Sequence, residues 1–204
     1  MIYEFNNLKE ITLVRHGRTE QNEAVEKANN GDTSLFTEAY RNRPAGNHRL
    51  TDDGIIQAKA TGELLRKFCD TKKFNGFFVS PYIRALETAY YLGLGENKRW
   101  SYDNFLKERD NGVFDYLSKE EIEMHFKKDL DRAASNPIFS RSPNGESMAD
   151  VELRLRAFLQ EVDKHGYFSN IIIVVHSRVM WTLRMIFENL RAEEIGASSV
   201  GGRN

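Results

Sequence analysis

Three short runs of apolar residues along the chain have the length and composition of buried β-strands. They cover residues 11–14, 76–79 and 171–175 and are dominated by Ile, Val, Leu and Phe. Strands without alternating polar positions are typical of a parallel sheet that is covered on both faces. The pattern therefore predicts at least three parallel strands.

Between and after these runs, apolar residues recur at steps of three and four, the spacing of one buried helix face. The three stripes consist of Ile55, Ala58, Gly62, Leu65 and Cys69; of Met148, Val151, Leu155, Phe158 and Val162; and of Val179, Leu183, Ile186 and Leu190. The second stripe is preceded by Ser147-x-x-Asp150, which resembles a capping box at the start of a helix. This alternation of strands and helices predicts an α/β fold: a three-layer sandwich with helices on both faces of a mostly parallel sheet.

Two segments fall outside this alternation. Residues 30–49 are polar and contain Arg41, Arg43 and Arg49, so the segment could form a lid over a site or simply be solvated. Residues 196–204 are small and polar, and we expect a disordered tail there. The remainder, residues 1–195, is expected to be one domain. The histidines at 48, 125 and 165 lie among polar residues and are interpreted as surface groups.

Composition excludes several classes of partner. The chain has 204 residues, 40% of them hydrophobic, which is enough for one substantial core. Its 29 basic and 30 acidic residues give a formal charge of -1, so no global charge attracts nucleic acid or a membrane surface. No apolar run resembles a signal peptide or approaches the roughly 18 residues of a membrane span. We therefore expect a cytoplasmic protein, in which the single cysteine, Cys69, packs and forms no internal disulfide.

Two histidines stand at the carboxyl ends of predicted strands. His16 follows the first strand through Arg15, and His176 directly follows the last one. Because ligands of open parallel sheets bind beyond the carboxyl ends of the strands, both imidazoles should line one crevice. Pro81 after the second strand predicts a helix start that places Arg84 in its first turn, above the same crevice.

Two guanidinium groups beside two imidazoles indicate a pocket for a compact dianion, and phosphate is the natural ligand. An imidazole that attacks phosphorus must be neutral, with one nitrogen aimed at phosphorus and the proton on the other nitrogen held by an acceptor. A backbone carbonyl near Gly17 could be that acceptor. Gly17 would also let the main chain turn tightly around the bound group.

Five segments, in order along residues 11 to about 190, resemble the signature of the histidine phosphatase superfamily, also called phosphoglycerate mutase-like. They are Arg15-His16-Gly17-Arg18-Thr19-Glu20-Gln21-Asn22, Leu50-Thr51-x-x-Gly54-x-x-Gln57-Ala58, Ser80-Pro81-x-x-Arg84-Ala85-x-x-Thr88-Ala89, Leu106-Lys107-Glu108-Arg109, and Gly145-Glu146-Ser147 before the helix that leads to Val175-His176. Five matches in order are far more specific than the Arg-His-Gly tripeptide alone.

The resemblance implies a metal-independent phosphatase without a cofactor, since arginines supply the positive charge that Mg²⁺ often provides. His16 would accept the phosphoryl group and Glu108 would donate a proton to the leaving oxygen. The phosphoryl oxygens would be held by Arg15, Arg84 and His176, with a further hydrogen bond from Asn22. The partner would be a small phosphate ester, although a phosphoprotein presents the same dianion. The sequence identifies neither the natural substrate nor the oligomeric state.

Two positions depart from the family pattern and could affect specificity. Ser177 stands where glycine is common, so its side chain could narrow the pocket, add a hydroxyl or reduce activity. Arg18 stands where Glu or Gln is frequent. A more basic pocket mouth there would favour a substrate with additional negative charge.

Three alternative functions stay open at this point. The first is a phosphoglycerate mutase, with Lys119 placed where a substrate-binding lysine could fall, although residues 131–134 lack the paired arginines associated with it. The second is a phosphate-binding protein with reduced or lost turnover. The third, a zinc hydrolase, is disfavoured because no cluster of residues has metal-ligand spacing.

Overall fold

The computed structural model describes residues 5–94 and 99–188, and its centre is a four-stranded parallel sheet. The strands are β1 (Glu10–Arg15), β2 (Gly76–Val79), β3 (Ser101–Tyr102) and β4 (Asn170–Val175), in the spatial order β1-β4-β2-β3. Every pairing is parallel. The three predicted strands are therefore confirmed, while β3, an exposed edge strand of two residues, was too short for the apolar pattern to indicate it.

Eight α-helices connect and cover these strands within the described residues. They are α1 (Glu20–Asn29), α2 (Glu38–Arg41), α3 (Asp52–Phe68), α4 (Ile83–Tyr91), α5 (Lys119–His125), α6 (Lys127–Ser135), α7 (Met148–Lys164) and α8 (Ser177–Glu188). Short 3-10 segments occur at Ala45–Asn47, Thr71–Lys73, Asn104–Leu106 and Gly112–Tyr116. No helix in the described part of the chain is long and apolar enough to cross a membrane.

The central strand β4 separates the two halves of the core. Successive side chains of a strand point to opposite faces. Ile171, Ile173 and Val175 accordingly pack in one cluster with α7 and α8, whereas Ile172 and Val174 pack in another with α4. All five of these side chains have no solvent exposure. Helices on both faces of the sheet confirm the predicted three-layer α/β sandwich.

The helical stripes are confirmed most fully in α7. All five predicted positions of that helix are buried, and Ser147 and Asp150 form the expected capping box. In α3 the predicted face is only partly buried, because Gly54, Ala58 and Gly62 lie in the interior while Ile55 and Leu65 are half-exposed. Position 190 of the third stripe and the predicted tail at residues 196–204 lie outside the described residues.

The segment at residues 30–49 packs against the domain. Phe36 and Tyr40 form a small apolar cluster with Ala24 and Ala28 of α1. The three arginines of this segment are all ion-paired: Arg41 with Glu121 of α5 at 2.9 Å, Arg43 with Glu20 of α1 at 2.7 Å, and Arg49 with Glu87 of α4 at 2.5 Å. The segment is thus attached to three helices, and its role as a lid remains a prediction.

His48 in this segment is not the surface group that its polar neighbours suggested. Its side chain is 1% exposed and its ring lies 5.0 Å from that of Tyr40. The prediction was wrong because local polarity does not show that Tyr40 of the same segment packs against this ring. Burial, reinforced by the charges of Arg43 and Arg84, lowers the pKa of His48 to about 4. His125 and His165 are exposed, as expected.

This buried imidazole should make stability pH-dependent. The unfolded chain takes up the His48 proton near its ordinary pKa of about 6.5, whereas the folded chain resists it down to about 4. Stability is therefore lost as the pH falls through that window. Between about pH 7.5 and 4.5, we expect the free energy of unfolding of His48→Phe to fall by about 2 kcal/mol less than that of the wild type, measured by urea denaturation. The exposed control His125→Gln should match the wild type, and an equal loss in all three proteins would contradict the prediction.

Candidate active site

The strand register brings three polar positions to one edge of the sheet. Arg15 pairs with Val175 across β1 and β4, and the ladder continues as His16 N–H donates to the Val175 carbonyl at 3.0 Å. On the other side of β4, Ser80 N–H donates to the Val174 carbonyl at 3.0 Å. His16, Ser80 and His176 therefore emerge side by side where the strands end.

The His16 ring is held in one orientation by its own loop. Nδ1 lies 2.8 Å from the carbonyl oxygen of Gly17, so a proton on Nδ1 is donated to that oxygen. This is the carbonyl position anticipated from the sequence. A carbonyl can only accept, so the bond favours the tautomer in which Nε2 keeps its lone pair. His16 lines a large cavity.

The electrostatic surroundings keep His16 neutral. Burial lowers the pKa of the imidazole to about 3, and the positive charges of Arg84 and Arg15 act in the same direction. The hydrogen bond to Gly17 opposes them only in part. At neutral pH the ring is therefore an uncharged base.

His176 lies directly against His16, with 5.1 Å between the ring centroids. It is wholly buried and is not among the residues that line the cavity, and its Nε2 lies 2.7 Å from Ser80 Oγ. Its Nδ1 is buried without a hydrogen-bond partner. Burial, followed by the charge of Arg84, holds the pKa of His176 well below its usual range. An orphaned ring nitrogen beside His16 suits a polar ligand atom, since an unsatisfied buried polar group is costly.

Arg84 provides a buried positive charge next to both imidazoles. It lies in the first turn of α4, as predicted, although the helix begins at Ile83 and not at Pro81. Its side chain is 4% exposed, donates to the Ala45 carbonyl through Nη1 at 2.7 Å, and stacks over Tyr82 at 4.7 Å from the ring centroid. Arg15 is more exposed and lines the same cavity.

Glu108 sits where α8 begins and also lines the cavity. One carboxylate oxygen accepts from the backbone N–H of Arg109 at 2.9 Å and the other from that of Arg178 at 3.4 Å. Burial raises the pKa of Glu108, although these N–H groups and the charge of Arg84 favour its ionised form. A carboxyl group of this kind can hold a proton and donate it.

The remaining predicted positions divide into two groups. Asn22 and Ser177 both line the cavity, and Asn22 Oδ1 also caps α1 by accepting from Thr19 N–H at 3.1 Å. Arg18, in contrast, is not among the cavity-lining residues. Its guanidinium is ion-paired with Glu26 at 2.7 Å and with Asp53 at 3.6 Å. The geometry therefore gives no support to Arg18 as a specificity residue, since surface carboxylates already neutralise it.

Sequence reasoning missed Arg109, Arg178 and Trp181, which all line the cavity. A usable signal existed for Arg178, because it stands two residues after His176 in the first turn of a helix that follows a strand. The same helix carries Trp181 one turn later. Within the described residues no group of three or more His, Cys, Asp or Glu side chains could hold a metal ion, so the zinc alternative has no candidate ligand set there.

The start of α3 clamps the loop that carries His16. Thr51 N–H donates to the Arg18 carbonyl at 3.0 Å, and Gln57 Oε1 accepts from Arg18 N–H at 2.8 Å. The two backbones come so close that a Cβ added at Gly54 would lie 2.0 Å from the Arg18 oxygen. The second sequence motif thus positions the loop that carries His16, and none of its named residues lines the cavity.

The fold and this site together define an α/β protein with a cavity at the carboxyl ends of its strands, where His16, Arg84 and Glu108 meet and His176 lies against His16. A model of the histidine phosphatase superfamily (branch 1) matches residues 11–201. The chain belongs to this superfamily.

Individual relatives are distant. The chain is 29% identical to a 6-phosphofructo-2-kinase/fructose-2,6-bisphosphatase of Caenorhabditis elegans over 84% of its own length and 32% of that protein. It is 28% identical to the fructose-2,6-bisphosphatase of Saccharomyces cerevisiae over 91% of its length and 36% of that protein. It spans only about a third of the length of these relatives. The structure of Bacillus stearothermophilus YhfR shares the fold, with a TM-score of 0.71, 24% identity, and coverage of 92% of this chain and 83% of that one.

Replacing Gly54 with alanine should disturb the clamp, because backbone oxygens cannot move away as a flexible side chain would. We expect Gly54→Ala to lower the free energy of unfolding by about 1–3 kcal/mol, the usual cost of forced overpacking. Glu63→Ala, on the exposed face of the same helix, should stay within about 0.5 kcal/mol of the wild type. Chemical denaturation followed by circular dichroism measures both, and similar stability of the two variants would refute the close approach.

Proposed function

We propose that this chain is a phosphatase that hydrolyses phosphate monoesters through a covalent phosphohistidine on His16. The observation that carries the proposal is the 2.8 Å contact between His16 Nδ1 and the Gly17 carbonyl, in a ring that its surroundings keep neutral. Such a ring presents the lone pair of Nε2 to a ligand and needs no separate base to remove a proton. Membership of the histidine phosphatase superfamily supports the same chemistry.

The cations around His16 would hold the dianion. Arg15 and Arg84 would bind the phosphoryl oxygens through their planar donor groups, and His176 would donate a hydrogen bond from its unpartnered Nδ1. Asn22, at the start of α1, would add a further hydrogen bond. These fixed donors would stabilise the charge of the transferring group.

In the first step the lone pair of His16 Nε2 attacks phosphorus, and the bond between phosphorus and the ester oxygen breaks. The electron pair of that bond goes to the leaving oxygen, which takes a proton from the Glu108 carboxylic acid. The products are an alcohol, a Glu108 carboxylate and phosphohistidine. The raised pKa of Glu108 suits it to carry this proton.

In the second step the Glu108 carboxylate removes a proton from water as the water oxygen attacks phosphorus. The phosphorus–nitrogen bond breaks, its electron pair returns to Nε2, and inorganic phosphate leaves. His16 is again neutral and Glu108 again protonated. Because the guanidinium groups carry the positive charge throughout, no step of this cycle requires a metal ion.

The mutase alternative is less well supported by the cavity. Lys119 does line it, but its ammonium group lies 3.6 Å from Glu123 and its side chain is 72% exposed. The neighbouring Arg132 is paired with Asp129 at 2.5 Å. A phosphoglycerate carboxylate would have to displace one of these partners, so we favour hydrolysis.

The first test is turnover of p-nitrophenyl phosphate together with capture of the intermediate. We expect metal-independent phosphate release that survives EDTA, and loss of at least about a thousandfold in kcat for His16→Ala, because the nucleophile itself is gone. Denaturing quench with ³²P-labelled substrate should leave acid-labile label on the wild type only.

The matched control is His125→Ala, which removes an exposed histidine and should retain wild-type activity and labelling. An active His16→Ala protein would refute the mechanism. An inactive wild type that still binds phosphate would favour the binding-protein alternative, and rapid interconversion of phosphoglycerates without phosphate release would favour the mutase.

The second test separates proton donation from phosphoryl transfer. Glu108→Gln keeps the shape of the side chain but cannot donate to the leaving oxygen. We expect the rate of alcohol release in a single turnover to fall by about 10²–10⁴ for alkyl phosphates, whose leaving groups need the proton, and much less for p-nitrophenyl phosphate. Steady-state phosphate release should fall for both, because the second step also uses Glu108, whereas equal single-turnover losses for both ester classes would show that Glu108 has another role.

A further inference from the structure

The cavity at His16 is far larger than a phosphoryl group requires. Its volume is about 820 Å³, in the upper part of the roughly 300–1,000 Å³ found for pockets that enclose a drug-sized ligand. Most of this volume is therefore available to the alcohol part of the ester, which is the leaving group. The side chains that line the cavity should indicate which kind of alcohol fits.

The wall changes in character along two helices as they leave the sheet edge. On α1 the residues lining the cavity run from Gln21 and Asn22 through Val25 and Ala28 to Asn29, a distance of about 12 Å at 1.5 Å per residue. On α8 the lining begins with Ser177 and Arg178 and reaches Trp181 one turn later. On both helices the polar residues beside His16 are thus followed by apolar ones, with Asn29 as the one polar residue at the far end of α1.

The far end is completed by apolar side chains from four other segments. Phe36 from the 30–49 segment, Ile122 from α5 and Leu130 from α6 line it, with Ile138 from the loop that follows α6. Phe36 and Ile122 are each 7% exposed, so they form a built wall and are not loose surface groups.

Charged residues at this end do not form a second anion site. Lys119 is paired with Glu123 at 3.6 Å, and Arg141 with Asp150 through Nε at 2.6 Å. Glu120, which also lines this end, adds a negative charge that would repel a second phosphate or carboxylate. The other arginines that line the cavity lie at the opposite end, Arg15 and Arg84 around His16 and Arg109 and Arg178 around Glu108.

We infer that the chain acts on phosphate monoesters whose alcohol carries a sizeable apolar group, alkyl or aromatic. The phosphate would lie at His16 and the apolar group against Trp181 and the facing walls of α1 and α6. This assignment of substrate class rests on the proposed function for the position of the phosphate. It does not require turnover, because it concerns binding.

The direct test is calorimetric binding of non-hydrolysable methyl-, butyl-, hexyl- and octylphosphonate to the wild-type protein. Each added methylene should lower Kd by up to about fourfold, which corresponds to about 0.8 kcal/mol of apolar burial, until the cavity is filled. Octylphosphonate that binds no more tightly than methylphosphonate would overturn the inference. Tighter binding of methylenediphosphonate than of methylphosphonate would also overturn the inference.

A matched pair of variants on α6 localises the effect. Ala133 lines the cavity, whereas the next residue, Ala134, is exposed and does not. Ala133→Phe should occupy the apolar end and reduce the ratio of the Kd of methylphosphonate to the Kd of octylphosphonate at least about tenfold. Ala134→Phe should leave this ratio as in the wild type. Equal ratios in both variants would place the apolar group elsewhere and contradict the assignment.

Hydrolysis distinguishes failure of this inference from failure of the proposed function. Chain-length-dependent phosphonate binding without any release of phosphate from p-nitrophenyl phosphate would refute the phosphatase and retain the apolar site. Rapid hydrolysis with the same KM for methyl and hexyl phosphate would retain the phosphatase and refute the apolar site. If the phosphatase activity and the apolar site are both present, we expect a lower KM for hexyl phosphate than for glycerol phosphate.

Discussion

The parallel pairing of β1 with β4 is the interaction on which the site depends. Its register sets Arg15 opposite Val175, so that the next residue of each strand is a histidine and the two rings lie 5.1 Å apart. A shift by one residue would turn the side chains of β1 to the other face of the sheet and separate the imidazoles. The fully buried β4 fixes this register, because its alternate side chains belong to two different halves of the core.

Placing this pair of imidazoles beside Arg84 has a cost, since burial among cations opposes protonation of both rings and disfavours the charge of Arg84 itself. A bound phosphate dianion would relieve that repulsion and satisfy His176 Nδ1. The electrostatic arrangement that destabilises the unliganded pocket is therefore the one that favours an anion within it. The same burial keeps His16 neutral, and a neutral ring is what nucleophilic attack requires.

In the proposed function, chemistry and substrate choice would lie in different parts of the chain. The sheet edge and the first turns of α4 and α8 supply the groups that would handle phosphate. The far wall of the cavity comes from α1, α5, α6 and the 30–49 segment, which lie outside the sheet. The wall can therefore change without disturbing the register of the strands.

The sequence by itself determined the three main strands, the stripe of α7 and the placement of His16, His176 and Arg84 at one sheet edge, because each depends on local periodicity or on the short distance from a strand end. Tertiary structure alone decided the burial of His48, the pairing of Arg18 with Glu26 and Asp53, and the entry of Arg178 and Trp181 into the cavity. These features depend on contacts between segments distant in sequence or on the direction in which a helix leaves the sheet. A one-dimensional pattern records which residues are apolar, but it does not record which remote side chains will enclose or neutralise them.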